Sequence, residues 1–306
     1  SLVLACANQK EAAKPKSPIA SQKADSSSKK DKIKPYSKVI TASAKTDDGL
    51  FRTHQVDDKH YYEIPKDMLK KDMLWVSRIA QIPSNLGGGY MNAGSKTNQQ
   101  VVAWERFQDK ILLKVKSYSE VALDSTAAIN NSVKVNNYEP TLYAFDIEAY
   151  SKDSTAVVID VTKFLTNDVV AISGLSPRLR KQYKVKNLDK NRSFINTIKS
   201  FPQNIEVKQD FTYNASEPPS NASTGSISLQ MNQSMILLPE EPMQPRLFDP
   251  RVGFFTVNQI DYSSEALKAD EKTYIRRWRL EPKDPAAYAR GELVEPVKPI
   301  VYYLDP

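Results

Sequence analysis

The chain has 306 residues, enough for one large β domain with extensions or for two domains. Its formal net charge of +7 originates near the N-terminus, because residues 1–48 hold ten Lys against five acidic residues and residues 49–306 hold 33 basic against 31 acidic. Residues 49–306 are therefore nearly neutral, and they contain no basic motif interleaved with aromatic residues. Both observations argue against a nucleic-acid-binding protein. Fifteen Tyr and nineteen Pro with only nine Gly favour a β-rich, exported protein over a helical bundle.

The N-terminus resembles that of a lipoprotein. Residues 1–5 look like the end of a signal-peptide apolar region, and Cys6 follows a small residue, as lipoprotein cleavage requires. We therefore expect a signal-peptide remnant at 1–5, lipidation of Cys6, and anchoring to a membrane of the cell envelope without a spanning helix. Residues 7–11 resemble a lipoprotein export signal, so the expected location is the outer membrane or the cell surface. The alternative is an unmodified Cys6 near an arbitrary start.

Two stretches follow the lipidation site. Residues 6–32 are rich in Lys, Ser, Ala and Pro and have little to bury, which is typical of a flexible tether. Residues 33–83 are expected to form a small module with a strand near 60–65, a brief helix in 65–71 and a strand in 72–83. A unit of this size has too little core to be stable alone, so we expect it to pack on the chain that follows.

Residues 84–290 are expected to form a larger β-rich module. Alternating apolar and polar residues predict strands at 110–118, 141–150, 204–213, 225–238, 252–262 and 273–281. Residues 155–167 start like a strand and end like a helix. The predicted fold class is therefore a β-rich α+β protein with a mostly antiparallel sheet and few short helices.

The end of the sequence is rich in proline. Residues 239–245 are expected to cross the surface or a sheet edge, because proline does not fit a central strand. A short helix is expected within 282–299, and residues 300–304 are expected to begin another strand.

Three consecutive glycines, Gly87, Gly88 and Gly89, interrupt the pattern between two β-favouring stretches. Glycine gives the backbone access to positive φ and to close approach, so this stretch is a loop. It does not match a phosphate-binding glycine motif. Two interpretations remain open: a simple bend between strands, or a contact loop formed by the glycines and Tyr90.

The search for catalytic and metal-binding residues is negative. His54 and His60 are the only histidines, and they do not form the H-E-x-x-H pattern that places two zinc ligands and a general base on one helix face. A weak site that joins them to Asp57 or Asp58 is an alternative to ordinary surface or half-buried histidines. The single cysteine excludes a disulfide framework and a cysteine-based metal site. No G-x-S-x-G elbow occurs either.

One further pair stands out near the C-terminus. Arg276 and Trp278 would share a face of the predicted strand 273–281. They would form either a ligand platform through cation–π stacking or a packed Trp covered by the arginine stem, and we favour the packed Trp.

Six ordered phrases together resemble the region that precedes the catalytic domain in a family of bacterial zinc-dependent metalloproteases. They are HYYEIPKDMLKKDMLWVSRIA (60–80), NLGGGYMNAGSKTNQQVVAWER (85–106), STAVVIDVTKFLTND (154–168), SFINTIKSFPQNIEV (193–207), MNQSMILLPEEPMQPRLFDPRVGFF (231–255) and TYIRRWRLEPKDPAAYARGELVEPVKPIVYYLDP (273–306). The resemblance covers nearly all of the chain from Ile33 onward. It implies two modules of uncharacterised role before a metzincin-like catalytic domain, whose start would be residues 291–306.

The resemblance implies a function for a longer protein and a different one for this chain. The parent would be a lipid-anchored zinc metalloendopeptidase, with zinc and H-E-x-x-H in the catalytic domain. This chain would be its non-catalytic, pro-domain-like or scaffolding part, and its partner would be that catalytic domain. The alternative is a stand-alone surface module that binds peptide or glycan through the Gly87–Gly89 loop and exposed aromatics such as Tyr90 and Trp104. A chain that hydrolyses a substrate by itself is the third hypothesis.

Overall fold

The computed structural model describes residues 33–122, 128–263 and 268–302. These ranges are rich in strands, with a curled antiparallel sheet and few short helices, so the predicted fold class is confirmed. The signal-peptide remnant, Cys6 and the tether lie outside the described residues. Within the described ranges, none of the helices has the length and apolar character needed to cross a membrane.

The regular elements are short. The strands are β1 (Lys45–Asp47), β2 (Arg52–Val56), β3 (Lys59–Pro65), β4 (Met73–Gln81), β5 (Lys96–Phe107), β6 (Lys110–Lys116), β7 (Glu120–Val121), β8 (Thr141–Tyr150), β9 (Ala156–Asp160), β10 (Val185–Leu188), β11 (Phe194–Phe201), β12 (Asn204–Ala215), β13 (Ser226–Leu237), β14 (Thr256–Asp261) and β15 (Asp270–Ile275). The α-helices are α1 (Tyr36–Val39), α2 (Ala128–Asn136), α3 (Thr162–Thr166), α4 (Pro177–Gln182) and α5 (Pro285–Ala289). Single 3₁₀ turns lie at Lys66–Met68, Leu86–Gly89, Val170–Ile172, Lys190–Arg192 and Ala222–Thr224.

Twelve strands form one curled sheet. Its order is β1-β2-β3-β9-β8-β6-β5-β4-β13-β12-β10, and β11 pairs with β12 on the same edge as β10. β4 lies in the middle of the sheet, between β5 and β13. The sheet therefore runs through both residues 33–83 and residues 84–290, and the two stretches share one hydrophobic core.

The two ends of the curled sheet meet. The backbone N–H of Leu50 donates to the carbonyl oxygen of Phe201 (2.7 Å), and the N–H of Ser200 donates to Asp47 Oδ2 (2.9 Å). Gly49 is needed at this contact, because a Cβ on it would lie 2.5 Å from Ser200 Oγ and 2.7 Å from the nitrogen of Phe201. The contact joins the β1–β2 turn to β11 and encloses the core.

Aromatic side chains fill the interior of the curled sheet. Trp104 packs edge-on against Phe51 and Tyr62, and Trp75 packs edge-on against Phe164 of α3. Burial of such large rings supplies most of the stabilising apolar area in a core of this kind. Trp75 Nε1 donates to Gln233 Oε1 (3.0 Å), and Gln233 Nε2 donates to the carbonyl oxygen of Ile172 (2.9 Å), so the polar atoms of these two buried side chains are paired.

A smaller sheet and an irregular stretch follow the curled sheet, and we call residues 239–302 the C-terminal region. β15 pairs with β14, and β14 pairs in parallel with β7. Leu247 forms an isolated antiparallel bridge to Tyr274 at the edge of β15, and the preceding residues 239–245 lie outside any strand, as the prolines predict. The Arg277 guanidinium donates to the carbonyl oxygen of Gln244 (2.7 Å) and holds the stretch in place.

Most of the strands predicted from alternation are confirmed with small changes in their ends. The prediction for 141–150 matches β8, those for 72–83, 204–213 and 225–238 match β4, β12 and β13, and residues 155–167 form a strand followed by a helix. The helix predicted in 282–299 is α5.

Two predictions for the C-terminal region are wrong. β15 ends at Ile275 and does not continue to 281, and residues 300–302 lie outside any strand, while 303–304 lie outside the described residues.

One prediction for the N-terminal stretch also differs. The brief helix expected in 65–71 is a single 3₁₀ turn.

Candidate functional site

The glycine-rich loop has the backbone conformation that its sequence predicts. Gly87, Gly88 and Gly89 all have positive φ values, of 64°, 70° and 84°. Residues with a Cβ rarely adopt this left-handed region, so the loop requires glycine at these positions. The Tyr90 side chain that follows is 92 % exposed, which leaves the possible contact loop of Gly87, Gly88, Gly89 and Tyr90 accessible.

The loop is held in place by contacts on both sides. Leu86 is buried in the core, and the backbone N–H of Gly87 donates to the Tyr183 hydroxyl (2.7 Å). Tyr183 is the residue that ends α4. The loop is therefore tied to a helix that lies about 90 residues further along the chain.

α4 is itself fixed by an arginine. Arg180 donates two hydrogen bonds to the Asp168 carboxylate (2.7 and 2.6 Å) and one to the carbonyl oxygen of Leu175 (3.0 Å). The hydrogen bonds to Asp168 are the main reason that the pKa of Arg180 is raised. The Arg180 guanidinium also lies 5.0 Å from the ring centre of Tyr213. Such a bidentate, stacked arginine gives α4 a defined position relative to the sheet.

A cleft of 430 Å³ opens between the glycine loop and α4, and we call it the loop cleft. Tyr90, Met91 and Leu179 supply apolar lining, and Lys96 of β5 and Arg178 of α4 supply two positive charges. No lining residue is acidic. Within the described residues, neither cation has a carboxylate within ion-pair distance, and the Lys96 ammonium donates only to the amide oxygen of Gln99 (2.7 Å).

A second polar site lies under α1, on the outer face of β2 and β3. Glu63 is 6 % exposed, and its Oε2 accepts hydrogen bonds from the Tyr36 hydroxyl (2.7 Å) and from His54 Nε2 (3.0 Å). Burial alone would raise the pKa of Glu63, but the hydrogen bonds from His54 and Tyr36 outweigh it and lower the pKa below its usual range. Burial and the bond to Glu63 raise the pKa of Tyr36 to about 12.

A cleft of 640 Å³ adjoins this second site. Glu63 lines it together with Arg52, whose Nη1 lies 3.6 Å from Glu63 Oε1 and whose Nε donates to Asp48 (2.5 Å). Acidic and basic groups alternate here, so the charges are mostly matched within the protein.

The polar site contains a hydroxyl, an imidazole and a carboxylate in the order that nucleophilic catalysis uses. Thr46 Oγ1 lies 2.8 Å from His54 Nδ1, and Glu63 lies on the other ring nitrogen. Thr46 does not line the 640 Å³ cleft, however, so the hydroxyl does not face the cavity in which a substrate would bind. The arrangement explains why a histidine and a glutamate are buried there, because each satisfies the other.

The structure does not bring His54 and His60 together with Asp57 or Asp58 as a metal site would require. His54 is buried and paired with Glu63 and Thr46, and His60 is buried, which lowers its pKa. Across the described ranges, His, Cys, Asp and Glu side chains form no group of three or more that could hold a metal ion. The expectation of ordinary surface or half-buried histidines is also wrong, because His54 and His60 are both buried.

Two aromatic residues lie where the sequence did not place them. Trp104 is fully buried, so it is not an exposed contact aromatic of the loop. Trp278 is 63 % exposed and lies beyond the end of β15, so the expectation of a packed Trp is wrong.

The C-terminal region exposes many apolar side chains. Phe255 is 86 % exposed, and the other large exposed apolar residues of this region are Leu247, Phe248, Val252, Phe254, Val257, Trp278, Leu280, Tyr288, Leu293, Val297, Ile300, Val301 and Tyr302. Single exposed apolar residues are common on monomers, whereas fourteen within 64 residues of chain are a concentration that the curled sheet does not show. We call this set the apolar surface.

Comparison with known families gives two matches. Residues 94–283 match the model described as Domain of unknown function (DUF5117), and residues 33–82 match Domain of unknown function (DUF5118). The first match spans more than half of the chain. The chain belongs to the DUF5117 family. No curated protein and no solved structure matches the chain.

The DUF5117 match includes the lining residues of the loop cleft that follow residue 94 in the chain, among them Lys96 and Arg178. The glycine loop with Tyr90 and Met91 precedes the match. His54 and Glu63 lie in the DUF5118 match. The sequence offered no direct signal for Arg178, Tyr183 or Glu63 as site residues, because their roles depend on contacts between distant parts of the chain.

Proposed function

We propose that this chain is the non-catalytic N-terminal part of an exported, lipid-anchored zinc metalloendopeptidase. In this proposal it is a pro-domain-like or scaffolding region that docks on the catalytic domain. The zinc and its ligands belong to that catalytic domain and not to any residue described for this chain. The resemblance of six ordered phrases to the pre-catalytic region of such proteases supplies the identity of the partner.

The apolar surface of the C-terminal region is the observation that carries the docking proposal. Its exposed aromatic and aliphatic side chains include Phe255 and Trp278. Large aromatic residues are the ones that contribute most to protein–protein binding when a partner covers them. The C-terminal region also overlaps residues 291–306, where the resemblance places the start of the catalytic domain, so the docking surface proper is the part of the apolar surface that precedes residue 291.

The first test concerns the gene. Its reading frame is followed beyond codon 306, and the longer protein is expressed and assayed for proteolysis with and without a chelator. We expect an H-E-x-x-H motif and chelator-sensitive proteolysis. A reading frame without that motif would overturn the proposal.

The second test concerns the docking surface. The catalytic domain is made separately, and its binding to the full chain and its proteolytic rate are measured. We expect Phe255→Ser to weaken binding at least tenfold, because Phe255 loses its buried contact with the partner. Phe107→Ser is the matched control, since Phe107 is an exposed phenylalanine at the β5–β6 turn and should have little effect. Equal binding by wild type and both variants would contradict docking through the apolar surface.

The second candidate is a surface module that binds peptide or glycan at the glycine loop. The exposed Tyr90 beside the loop cleft favours it. This candidate predicts ligand binding by the chain alone, without a catalytic domain, and blank peptide and glycan arrays would remove it.

A further inference from the structure

The loop cleft has an unbalanced charge that the docking proposal does not explain. Arg178 and Lys96 face it from two different elements, and none of its lining residues is a carboxylate. The 640 Å³ cleft, by contrast, pairs its arginine, Arg52, with Asp48 and Glu63. Two cations that converge on one cavity without an internal partner are suited to an anionic ligand.

The remaining lining restricts the shape of that ligand. Tyr90, Met91 and Leu179 form an apolar wall beside the two cations. An anion bound here would therefore carry an apolar group next to its charge. A volume of 430 Å³ lies at the small end of the range for ligand-binding clefts, which suits a short ligand.

The cleft is also a preformed one. The glycine loop is fixed by the Gly87–Tyr183 hydrogen bond, and α4 is fixed by the Arg180–Asp168 pair. Gly174 contributes to the lining and packs closely on the core, because a Cβ there would lie 2.5 Å from the side chain of Leu229 and would force it to shift. A rigid cleft needs little reorganisation on binding, which favours affinity for a small ligand.

We infer that the loop cleft binds the carboxyl terminus of a peptide whose last side chain is apolar. The planar guanidinium of Arg178 matches a carboxylate in bidentate geometry, and Lys96 of β5 adds a second positive charge to the lining. The final side chain of the peptide lies against Tyr90, Met91 and Leu179. Capture of a terminal carboxylate beside a small apolar pocket is an established mode of peptide recognition.

A fatty acid has the same pairing of an anionic head with an apolar tail. The open cleft offers apolar wall for one side chain and not for a long acyl chain, so the peptide is the better match. The inference does not depend on the docking proposal, because the apolar surface and the loop cleft share no residue.

The test measures binding of fluorescent peptides to the full chain by anisotropy. The probes are hexapeptides that end in Leu, Phe or Asp, each with a free carboxylate or a terminal carboxamide. We expect the Leu or Phe carboxylates to bind, and amidation to weaken binding at least tenfold, since the carboxamide loses its charged hydrogen bonds. Raising the salt from about 0.05 M to about 0.5 M should weaken only the carboxylates.

Two variants with the same loss of charge locate the site. Arg178→Gln should weaken binding at least tenfold, whereas Lys181→Gln, on the same helix but outside the cleft, should change it less than twofold. Tyr90→Ala should weaken binding several-fold and leave the fold intact, because Tyr90 is almost fully exposed. The thermal midpoints of the variants serve as the folding control.

Several outcomes would overturn the inference. They are the absence of binding at about millimolar peptide, equal binding of carboxylate and carboxamide, equal effects of Arg178→Gln and Lys181→Gln, and dodecanoate binding more tightly than every peptide. If Arg178→Gln does not fold, the amidation and salt measurements on the wild type decide the matter.

Discussion

The curled sheet and the C-terminal region place similar apolar side chains in opposite environments. The curled sheet buries Trp75, Trp104 and their neighbours in its interior. Among the described residues of the C-terminal region, Ala287 is the only apolar side chain that is buried. β14 and β15 are flanked, among the described residues, only by the two-residue β7 and the Leu247 bridge, and so small a sheet does not enclose a core, so Phe255 and Trp278 remain at the surface. The comparison separates the part of the chain that folds for its own stability from the part that presents a surface.

The largest expected effect comes from exchanging one tryptophan in each region for alanine. Trp104→Ala should lower the free energy of unfolding by about 3–5 kcal/mol, because it removes a fully buried ring and leaves a cavity. Trp278→Ala should change it by about 0.5 kcal/mol or less, because the ring is mostly in solvent. Denaturant unfolding of both variants measures the difference. Similar losses for the two would mean that the C-terminal region has a core of its own.

The closure of the curled sheet is tested with two glycines. Gly49→Ala should cost about 1–3 kcal/mol, because the new Cβ collides with the backbone of Ser200 and Phe201. Gly253→Ala, in the C-terminal region, is the control: beyond its chain neighbours, no atom of the described residues lies within 4 Å of a Cβ placed there, so the change should be within about 0.5 kcal/mol of zero. Thermal unfolding compares the two. A neutral Gly49→Ala would show that the sheet ends do not need close contact.

The buried carboxylate of the curled sheet should make its stability depend on pH. The folded-state pKa of Glu63 is lowered, so its contribution is present above the unfolded pKa of about 4.3 and is lost as the pH falls through the folded value. Glu63→Gln should therefore cost about 1–3 kcal/mol at pH 7 and show a smaller loss of stability on acidification than the wild type. Urea unfolding at neutral and acidic pH measures this.

The control for that measurement is Glu292→Gln in the C-terminal region, where the carboxylate is exposed and bonded only to Arg290 among the described residues. It should leave the acid dependence unchanged. The Glu63 interpretation would be wrong if both variants had the same pH profile.

The smallest effect is expected within the C-terminal sheet. Hydrogen bonds from Lys272 (2.5 Å) and Ser263 lower the pKa of Asp261 to about 2, so the pairing of β14 with β15 should weaken as the pH falls from about 3.9 toward that value. Asp261→Asn should cost about 1 kcal/mol, because Asp261 is buried but the amide oxygen of Asn still accepts one of these hydrogen bonds. Hydrogen exchange of the β14 amides measures it, and protection that is independent of pH in both proteins would contradict the assignment.

The sequence predicted the strands in which one face is buried. β8, β12 and β13 alternate between apolar and polar residues because one side faces the core, and this period of two is visible in the sequence. β10 and β11 escaped prediction because they lie at an edge, where most side chains are exposed and alternation is weak. α4 has only six residues, too few to show helical periodicity.

The candidate site could be predicted only in part. The three glycines indicated a loop of positive φ, and the structure confirms it. The opposite wall of the loop cleft, with Arg178, is about 90 residues away, and a sequence pattern does not report which distant elements meet. Trp104 was misplaced for the same reason, because its burial depends on rings contributed by β3 and by the β1–β2 turn.

The central position of β4 has a consequence for how the protein can be cut. A chain divided after Pro83 would leave a gap one strand wide between the unpaired edges of β5 and β13, and a third unpaired edge on β9, where β3 pairs. Because those edges carry free backbone donors and acceptors, the fragment that contains β4 should reinsert between them. The two halves would then behave as a split protein, whose reassembly reports that both pieces are present in the same compartment.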